Sequence, residues 1–255
     1  MIDIHSHILP GVDDGASTLE ESLAMARQAV SEGITKVVAT PHHRNGHFDN
    51  ERKIILQEVV ILNNELAREG IDLTVIPGQE IRIYGEMIEH YDQKELLSVN
   101  EEGMYIFVEL PPTHLPAYAN KLLFDLQMKG LTPVIVHPER NQEILENPRR
   151  LYQLVKGGAL CQVTAAAVTG KLGKKIKKLS HEMISHNLAH FIASDSHNTT
   201  TRPFDLREAL EIVEEKFGMS VRYMFQENAE LLIEGKNIQK DMPLRIQRKK
   251  RLGIF

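Results

Sequence analysis

The 255-residue chain has one cysteine, Cys161, no tryptophan, and an aromatic content of only 5%. One cysteine excludes an intrachain disulfide and a cysteine-type structural zinc site, and it fits a reducing cytoplasm. It also excludes a cysteine-nucleophile phosphatase. That chemistry needs arginine six residues after the cysteine, and the position is Ala167. No G-x-x-x-x-G-K-[ST] occurs, so a P-loop is absent. No apolar run approaches the roughly 20 residues of a membrane span. The start lacks a basic region ahead of an apolar one, so no signal peptide is expected. Positive charge is not in excess: the net charge of −5 gives no general attraction for nucleic acid or anionic lipid. What remains, 42% hydrophobic and 25% charged, is ordinary for a globular chain with a sizeable core.

Short apolar runs alternate with longer amphipathic ones. Strands are predicted at residues 1–5, 36–40, 73–76, 104–110, 133–136, 159–163 and 190–193. Thr18 and Glu21 have capping-box spacing, and the helix they start turns Leu19, Leu23, Ala26 and Val30 to one face before Gly33. A second helix from about residue 50 to Gly70 has Ile54, Ile55, Leu62 and Leu66 as inward candidates. Further helices are expected at 117–129, 142–156, 171–187 and 205–217. Repeated strand–helix alternation predicts a parallel sheet, because parallel neighbours need crossover connections. Seven such units in this length favour closure into a barrel over an open doubly wound sheet. With no linker, low-complexity tract or short repeat, residues 1–255 are read as one domain. It ends in a basic run, 245–251, read as a solvated charge run.

Polar residues collect where such a barrel keeps its reactive groups, at the C-terminal ends of the strands. The ends carry His5 and His7; His42 and His43; Glu80; Glu109; His137; and Asp195 and His197. Only the sixth strand, 159–163, ends without a candidate. Each item alone is weak, since H-x-H on a strand is commonly structural and Asp-Ser favours turns. A core-histidine account does not predict six strand ends delivering His, Asp or Glu together, so a polynuclear metal site is expected. Asp13 or Asp14 supplies a further oxygen, and spacing alone does not choose between them. Imidazole mixed with carboxylate suits Mn²⁺, Fe²⁺ or Zn²⁺, and the surplus of ligands fits two or three ions. Such clusters clamp the attacking and leaving oxygens of a displacement at phosphorus and bring the pKa of bound water to about 7. Gly170-Lys-Leu-Gly-Lys-Lys175 superficially suggests phosphate cradling, but glycine and lysine near a helix start are ordinary.

Taken in order, H-S-H-I-L-P-G-V-D-D-G, A-T-P-H-H, G-Q-E, H-P-E-R and S-D-S-H resemble the polymerase-and-histidinol-phosphatase superfamily. L-P-G-V-D-D-G and H-P-E-R are similar to its manganese-dependent bacterial protein-tyrosine phosphatases, which act on tyrosine autokinases controlling capsule or exopolysaccharide synthesis. The match runs from residue 3 to about 203. The resemblance implies a distorted seven-stranded β/α barrel, a trinuclear site, Mn²⁺ as the metal and a metal-bound hydroxide as the nucleophile. Carried onto this chain, one ion takes His5, His7, Glu80 and Asp195. Glu80 bridges to a second with Glu109 and His137, and a third lies near Asp14, His42 and His197. Arg140 and Arg202 face the substrate phosphate, and guanidinium geometry suits that contact. Asp195 or a neighbouring histidine would protonate the leaving phenolate. His43 is read as packing or as a residue supporting the ligands from behind, and His47 and His114 as loop residues able to line the mouth. The partner implied is a phosphotyrosyl protein, a tyrosine autokinase; membrane contact would be peripheral, through the kinase, and nucleic acid is not expected. A small-molecule phosphatase acting on histidinol phosphate, and a non-catalytic metal-dependent regulatory protein, stay open.

Overall fold

The computed structural model describes residues 1–247; the rest of the basic run, from 248, lies outside the described residues. The chain opens with β1 (Ile2–Ser6), α1 (Leu19–Ser31), β2 (Lys36–Ala39) and a two-residue β3 (His42–His43). It continues through α2 (Arg52–Arg68), β4 (Thr74–Pro77), β5 (Glu80–Arg82), α3 (Met87–Asp92), β6 (Tyr105–Glu109) and α4 (Ala119–Met128). After β7 (Thr132–Val136) come α5 (Gln142–Glu146) and α6 (Arg149–Lys156), then β8 (Leu160–Thr164), α7 (Ala165–Thr169) and α8 (Lys174–Ser185). The last elements are β9 (Phe191–Ala193), α9 (Leu206–Phe217) and α10 (Met219–Ile233).

All strand pairs are parallel, as the alternation implies. They form two sheets, β1-β2-β4 and β3-β5-β6-β7-β8-β9, rather than one continuous ring of strands. The division falls where two of the expected strands are interrupted. Pro41 has no N–H to give and parts β2 from β3, while Gly78-Gln79 parts β4 from β5. At the other side β1 is joined to the residues that follow β9: Ser194 N donates to Asp3 Oδ1 at 3.0 Å, Asp195 N to His5 O at 2.9 Å and His7 N to Ser196 O at 2.8 Å.

Alternate strand residues go to different cores. Ile4, Val38, Ile76, Phe107, Val134 and Phe191 join one apolar cluster, which Ala229, Leu232 and Ile233 of α10 complete. Their neighbours Val37, Val75, Ile106, Ile135 and Ile192 pack with the helices in the larger cluster. β1 breaks this rule by a bulge: Asp3 pairs with Val37 but Ser6 with Ala39, leaving one extra residue in β1. Ile4 belongs to the inner cluster, and the next residue, His5, stacks on Phe107 of that same cluster, 6.1 Å between centroids. A regular strand would send them to opposite sides.

Several local expectations shift. Thr18 caps α1 by accepting from Glu21 N, but Glu21 takes the N–H of Ser17, and Val30 and Ile54 lie on outer helix faces, 37% and 44% exposed. The helix expected over 142–156 is two, broken at Asn147-Pro148. α3, α7 and α10 lie outside the expected helices. Among the described residues, no helix is long and apolar enough to cross a membrane.

Candidate metal centre

The site forms where the C-terminal ends of both sheets converge. His5 and His7 enter from the end of β1, His42 from β3, Glu80 from β5 and Glu109 from β6. His137 and Asp195 follow β7 and β9 with left-handed backbones, φ 35° and 56°, a conformation that non-glycine residues hold only when their surroundings impose it.

Glu80 is the centre of the arrangement and fully buried. Its Oε2 lies 2.8 Å from His42 Nδ1, 3.4 Å from His7 Nε2 and 3.5 Å from His5 Nε2, and its Oε1 lies 2.6 Å from His137 Nε2. Asp195 Oδ1 stands 3.2 Å from His7 Nε2 and 3.5 Å from His5 Nε2. Asp14 Oδ1 sits 3.4 Å from both His42 Nε2 and His197 Nε2. Three overlapping groups follow that could hold metal ions: His7, Asp14, His42 and His197; His5, His7 and Glu80; His42, Glu80 and Glu109. All the residues singled out in the sequence as ligands thus come to one place. The groupings differ from the implied ones in putting His7 with Asp14 as well and His42 beside Glu80 and Glu109, and none of them includes Asp195 or His137, which border them through His7, His5 and Glu80.

The donor set fits cations. His5 Nδ1 is 3.1 Å from Gln162 Oε1, His7 Nδ1 2.6 Å from Asp13 Oδ2 and His197 Nδ1 2.9 Å from Asp195 O. With Nδ1 donating to oxygen, the lone pair of each ring is on Nε2, the usual arrangement for a metal-ligating histidine. Those Nε2 atoms, with His42 Nδ1 and Glu80 Oε2, are buried and make no well-formed hydrogen bond. Buried polar atoms are otherwise nearly always paired, so five of them facing one another need a partner.

The electrostatics agree. Burial opposes the Glu80 charge, but His42, His5 and the hydrogen bond with His137 outweigh it and hold this carboxyl well below the usual range. Burial likewise opposes charge on Asp195, while the close approach of His7 and the charges of His5, Arg140 and His197 keep it well below that range. Burial disfavours protonated His42, yet the Glu80 charge and the Asp14 hydrogen bond push it up to about 10. The carboxylates therefore draw positive charge into the site, which ions would supply by displacing those protons. Burial lowers His137 to about 4, leaving a neutral imidazole.

A cavity of about 240 Å³ opens onto this centre, lined by Asp14, His42, Glu109, His137, Arg140 and Arg202 among others. Arg202 Nη2 donates to Asp195 Oδ2 at 2.8 Å, and Arg140 Nη1 pairs with the same oxygen. Neither His47 nor His114 lines the cavity; both are exposed. His43 is buried beside Asp49, away from the three groups. Sequence reasoning missed Arg82, which holds Glu109 by two hydrogen bonds of 2.8 and 2.9 Å. Its signal was present: two residues after Glu80, it shares that side of the strand. It also missed Gln162, on the strand expected to contribute nothing.

Fold and site together define a parallel α/β protein whose strand ends gather a multi-cluster centre suited to metal ions. The family described as "Capsular polysaccharide synthesis, CpsB/CapC" matches residues 1–234, and the chain belongs to it. Over 255 residues it is 48% identical to the tyrosine-protein phosphatase YwqE of Bacillus subtilis (strain 168), covering 100% of each. It is 31% identical to the tyrosine-protein phosphatase CpsB of Streptococcus pneumoniae over 240 residues, 91% of this chain and 98% of that one. A solved structure described as "Crystal structures of YwqE from Bacillus subtilis and CpsB from Streptococcus pneumoniae, unique metal-dependent tyrosine phosphatases" superposes with a TM-score of 0.95 at 48% identity, covering 97% of this chain and 100% of that one. Histidinol phosphate phosphatase from Lactococcus lactis, at 12% identity and a TM-score of 0.52, shares the fold; the coverage is 96% of this chain and 100% of that one.

Proposed function

We infer that the chain is a metal-dependent tyrosine-protein phosphatase acting in capsular polysaccharide synthesis. The observation that carries this is the set of five buried, unpartnered donor atoms on His5, His7, His42, Glu80 and His197, with Arg140 and Arg202 beside the cavity above them. His5, His7, Asp14, His42, Glu80, Glu109, His137, Asp195 and His197 would hold two or three divalent ions. The resemblance favours Mn²⁺, and the donor chemistry equally admits Fe²⁺ or Zn²⁺. Bound there, the ions supply Lewis-acid charge for the phosphoryl oxygens and lower the pKa of water to about 7. The two sheets are read as a distorted seven-stranded barrel, a reading supported by the β1–β9 contacts at the site.

Arg140 and Arg202 bind the phosphate and orient it over the cluster. Both pair with the same Asp195 oxygen, and two guanidiniums against one carboxylate leave donor capacity for the phosphate. Arg82 restrains Glu109 and keeps that carboxylate from turning toward the incoming phosphate. Asp195 is kept anionic and acts by positioning the two arginines. A phenolate is a good leaving group and needs little help from an acid. The physiological partner on this reading is a phosphotyrosyl protein, a tyrosine autokinase, in the cytoplasm, a setting the single cysteine supports.

The test is turnover of a phosphotyrosyl peptide and of histidinol phosphate by protein stripped with chelator and reloaded with Mn²⁺. Restored turnover of the phosphotyrosyl peptide, well above that of histidinol phosphate, is expected. A folded His5→Ala/His7→Ala variant should lose both metal content and rate. Retention of both would reject the site, and preference for histidinol phosphate would reject the substrate.

A further inference from the structure

A second pocket of about 300 Å³ abuts the first and shares Arg140, Asp195 and Arg202 with it. Its far wall is Thr164, Ala166, Lys171, Leu172, Pro203 and Asp205. Thr164 Oγ1 and Asp205 Oδ2 are buried there without a hydrogen-bond partner, and Thr164 is only 3% exposed. Leu172, by contrast, is an exposed apolar side chain at the rim. Polar atoms of this kind suit the main chain of a peptide, and the rim leucine suits one of its side chains.

The rim leads into the 170–175 segment, the glycine–lysine stretch that the metal chemistry leaves unused. Lys171 is neutralised by Asp205 at 2.6 Å and Glu208 at 3.0 Å. Lys174, Lys175, Lys177 and Lys178 follow within two turns. The first two are exposed and have no carboxylate partner among the described residues, Lys177 spends its ammonium on Thr169 O, and Lys178 reaches Glu182 only at 3.6 Å. Lys174 lies within about 11 Å of Lys171 along the chain. The first turn of α8 carries no acidic residue, and lysines there oppose the helix dipole, so the composition does not serve the helix. In a chain of net charge −5 this is a local excess of positive charge beginning at the phosphate-binding arginines' second pocket.

Resting on the phosphatase reading, we propose that this pocket and the lysine-rich start of α8 dock the acidic stretch of polypeptide next to the substrate phosphotyrosine. The phosphotyrosine occupies the metal cavity, the adjoining residue crosses the Arg140–Arg202 ridge into the second pocket, and the carboxylates beyond it meet Lys174, Lys175 and Lys178. Charge complementarity selects an acidic segment, and continuity with the cavity places that segment in the substrate itself.

The experiment compares Mn²⁺-loaded protein on phosphotyrosyl peptides with three acidic or three neutral residues on either flank, and on p-nitrophenyl phosphate. One acidic flank should raise kcat/KM about eightfold, a factor of about two for each exposed ion pair, and the gain should fade with salt. Lys174→Ala/Lys175→Ala/Lys178→Ala should abolish that gain and leave p-nitrophenyl phosphate turnover unchanged, and the corresponding triple arginine variant should keep it. Equal rates on acidic and neutral peptides, with p-nitrophenyl phosphate turned over normally, overturn the docking surface alone. No turnover of p-nitrophenyl phosphate overturns the phosphatase reading and the docking surface with it. Binding of phosphatidylserine vesicles lost in the alanine variant, with peptide preference unchanged, assigns the lysines to a lipid surface and overturns the proposal.

Discussion

Asp13 and Asp14 are adjacent and chemically identical, and the turn they sit in separates their roles. Asp13 Oδ1 accepts from Gly15 N at 3.0 Å, while its Oδ2 faces His7 Nδ1 at 2.6 Å and accepts from His42 N at 3.1 Å. Burial opposes its charge, but His7 and these N–H groups lower its pKa. Asp14 instead projects between His42 and His197. Spacing along the chain could not have distinguished them, because the difference is in the turn that Asp13 itself caps. The same holds for Val30 and Ile54: apolar periodicity marks a face, but the neighbours decide how wide a stripe is covered. Asp13→Ala removes no member of the three clusters, but it takes away the restraint on His7 together with the bonds from Gly15 N and His42 N. Mn²⁺ affinity should fall about 10- to 100-fold, the usual effect of losing a carboxylate behind a ligating histidine. Calorimetric titration of the stripped variant checks this; unchanged affinity would deny Asp13 a positioning role.

At the scale of elements, strand ends were legible because parallel β/α units put reactive groups at one edge, so that motif order alone predicted the gathering of distant residues. Strand continuity was not. Pro41 marks one break locally, but the break at Gly78-Gln79 and the bulge in β1 depend on pairing partners that no local pattern names, and the bulge is what turns His5 inward. The loop after β1 depends on one glycine. A Cβ on Gly15 would lie 2.0 Å from His7 O and 2.5 Å from His7 Cβ, while Ala16 N already donates to that carbonyl at 3.2 Å. The loop therefore packs directly on the backbone of His7, and no flexible side chain is available to yield. Gly15→Ala should cost about 1–3 kcal/mol of stability, as overpacking does, and weaken Mn²⁺ binding by lifting Asp13 and Asp14 away. Gly85→Ala, where a Cβ would meet nothing within 4 Å, is the control and should leave both unchanged. Urea unfolding and metal titration of the two variants decide between them.

Across the whole molecule, the candidate metal centre occupies one end of the sheets and a structural polar junction lies near the other. There His190 Nδ1 accepts from Cys161 N at 3.0 Å, and Asn228 of α10 donates to His190 O at 3.0 Å, so one histidine joins β8, the approach to β9 and the last helix. Its place among the histidines unassigned to the site was readable, but its junction role was not, because α10 had not been anticipated. Burial, with the Lys240 charge, lowers His190 from 6.5 to about 4. The sign follows from proton counting. Between pH 6.5 and about 4 the unfolded chain binds a proton at this position and the native chain does not, so stability falls with falling pH through that window. Above 6.5 the contribution is fully present, and below 4 the loss is complete, at about 3 kcal/mol. Asp3, raised to about 6 by burial, works in the opposite direction in an overlapping range, since its native carboxyl keeps a proton that the unfolded chain releases. The wild-type curve alone therefore mixes the two, and the difference against a variant isolates His190. His190→Asn keeps an oxygen for the Cys161 N–H and removes the titration. Urea unfolding of both proteins in chelator should show the wild type losing about 3 kcal/mol relative to the variant as the pH is lowered from 7 to 4. Parallel stability curves over that range would mean that His190 titrates no differently in the fold than in the open chain.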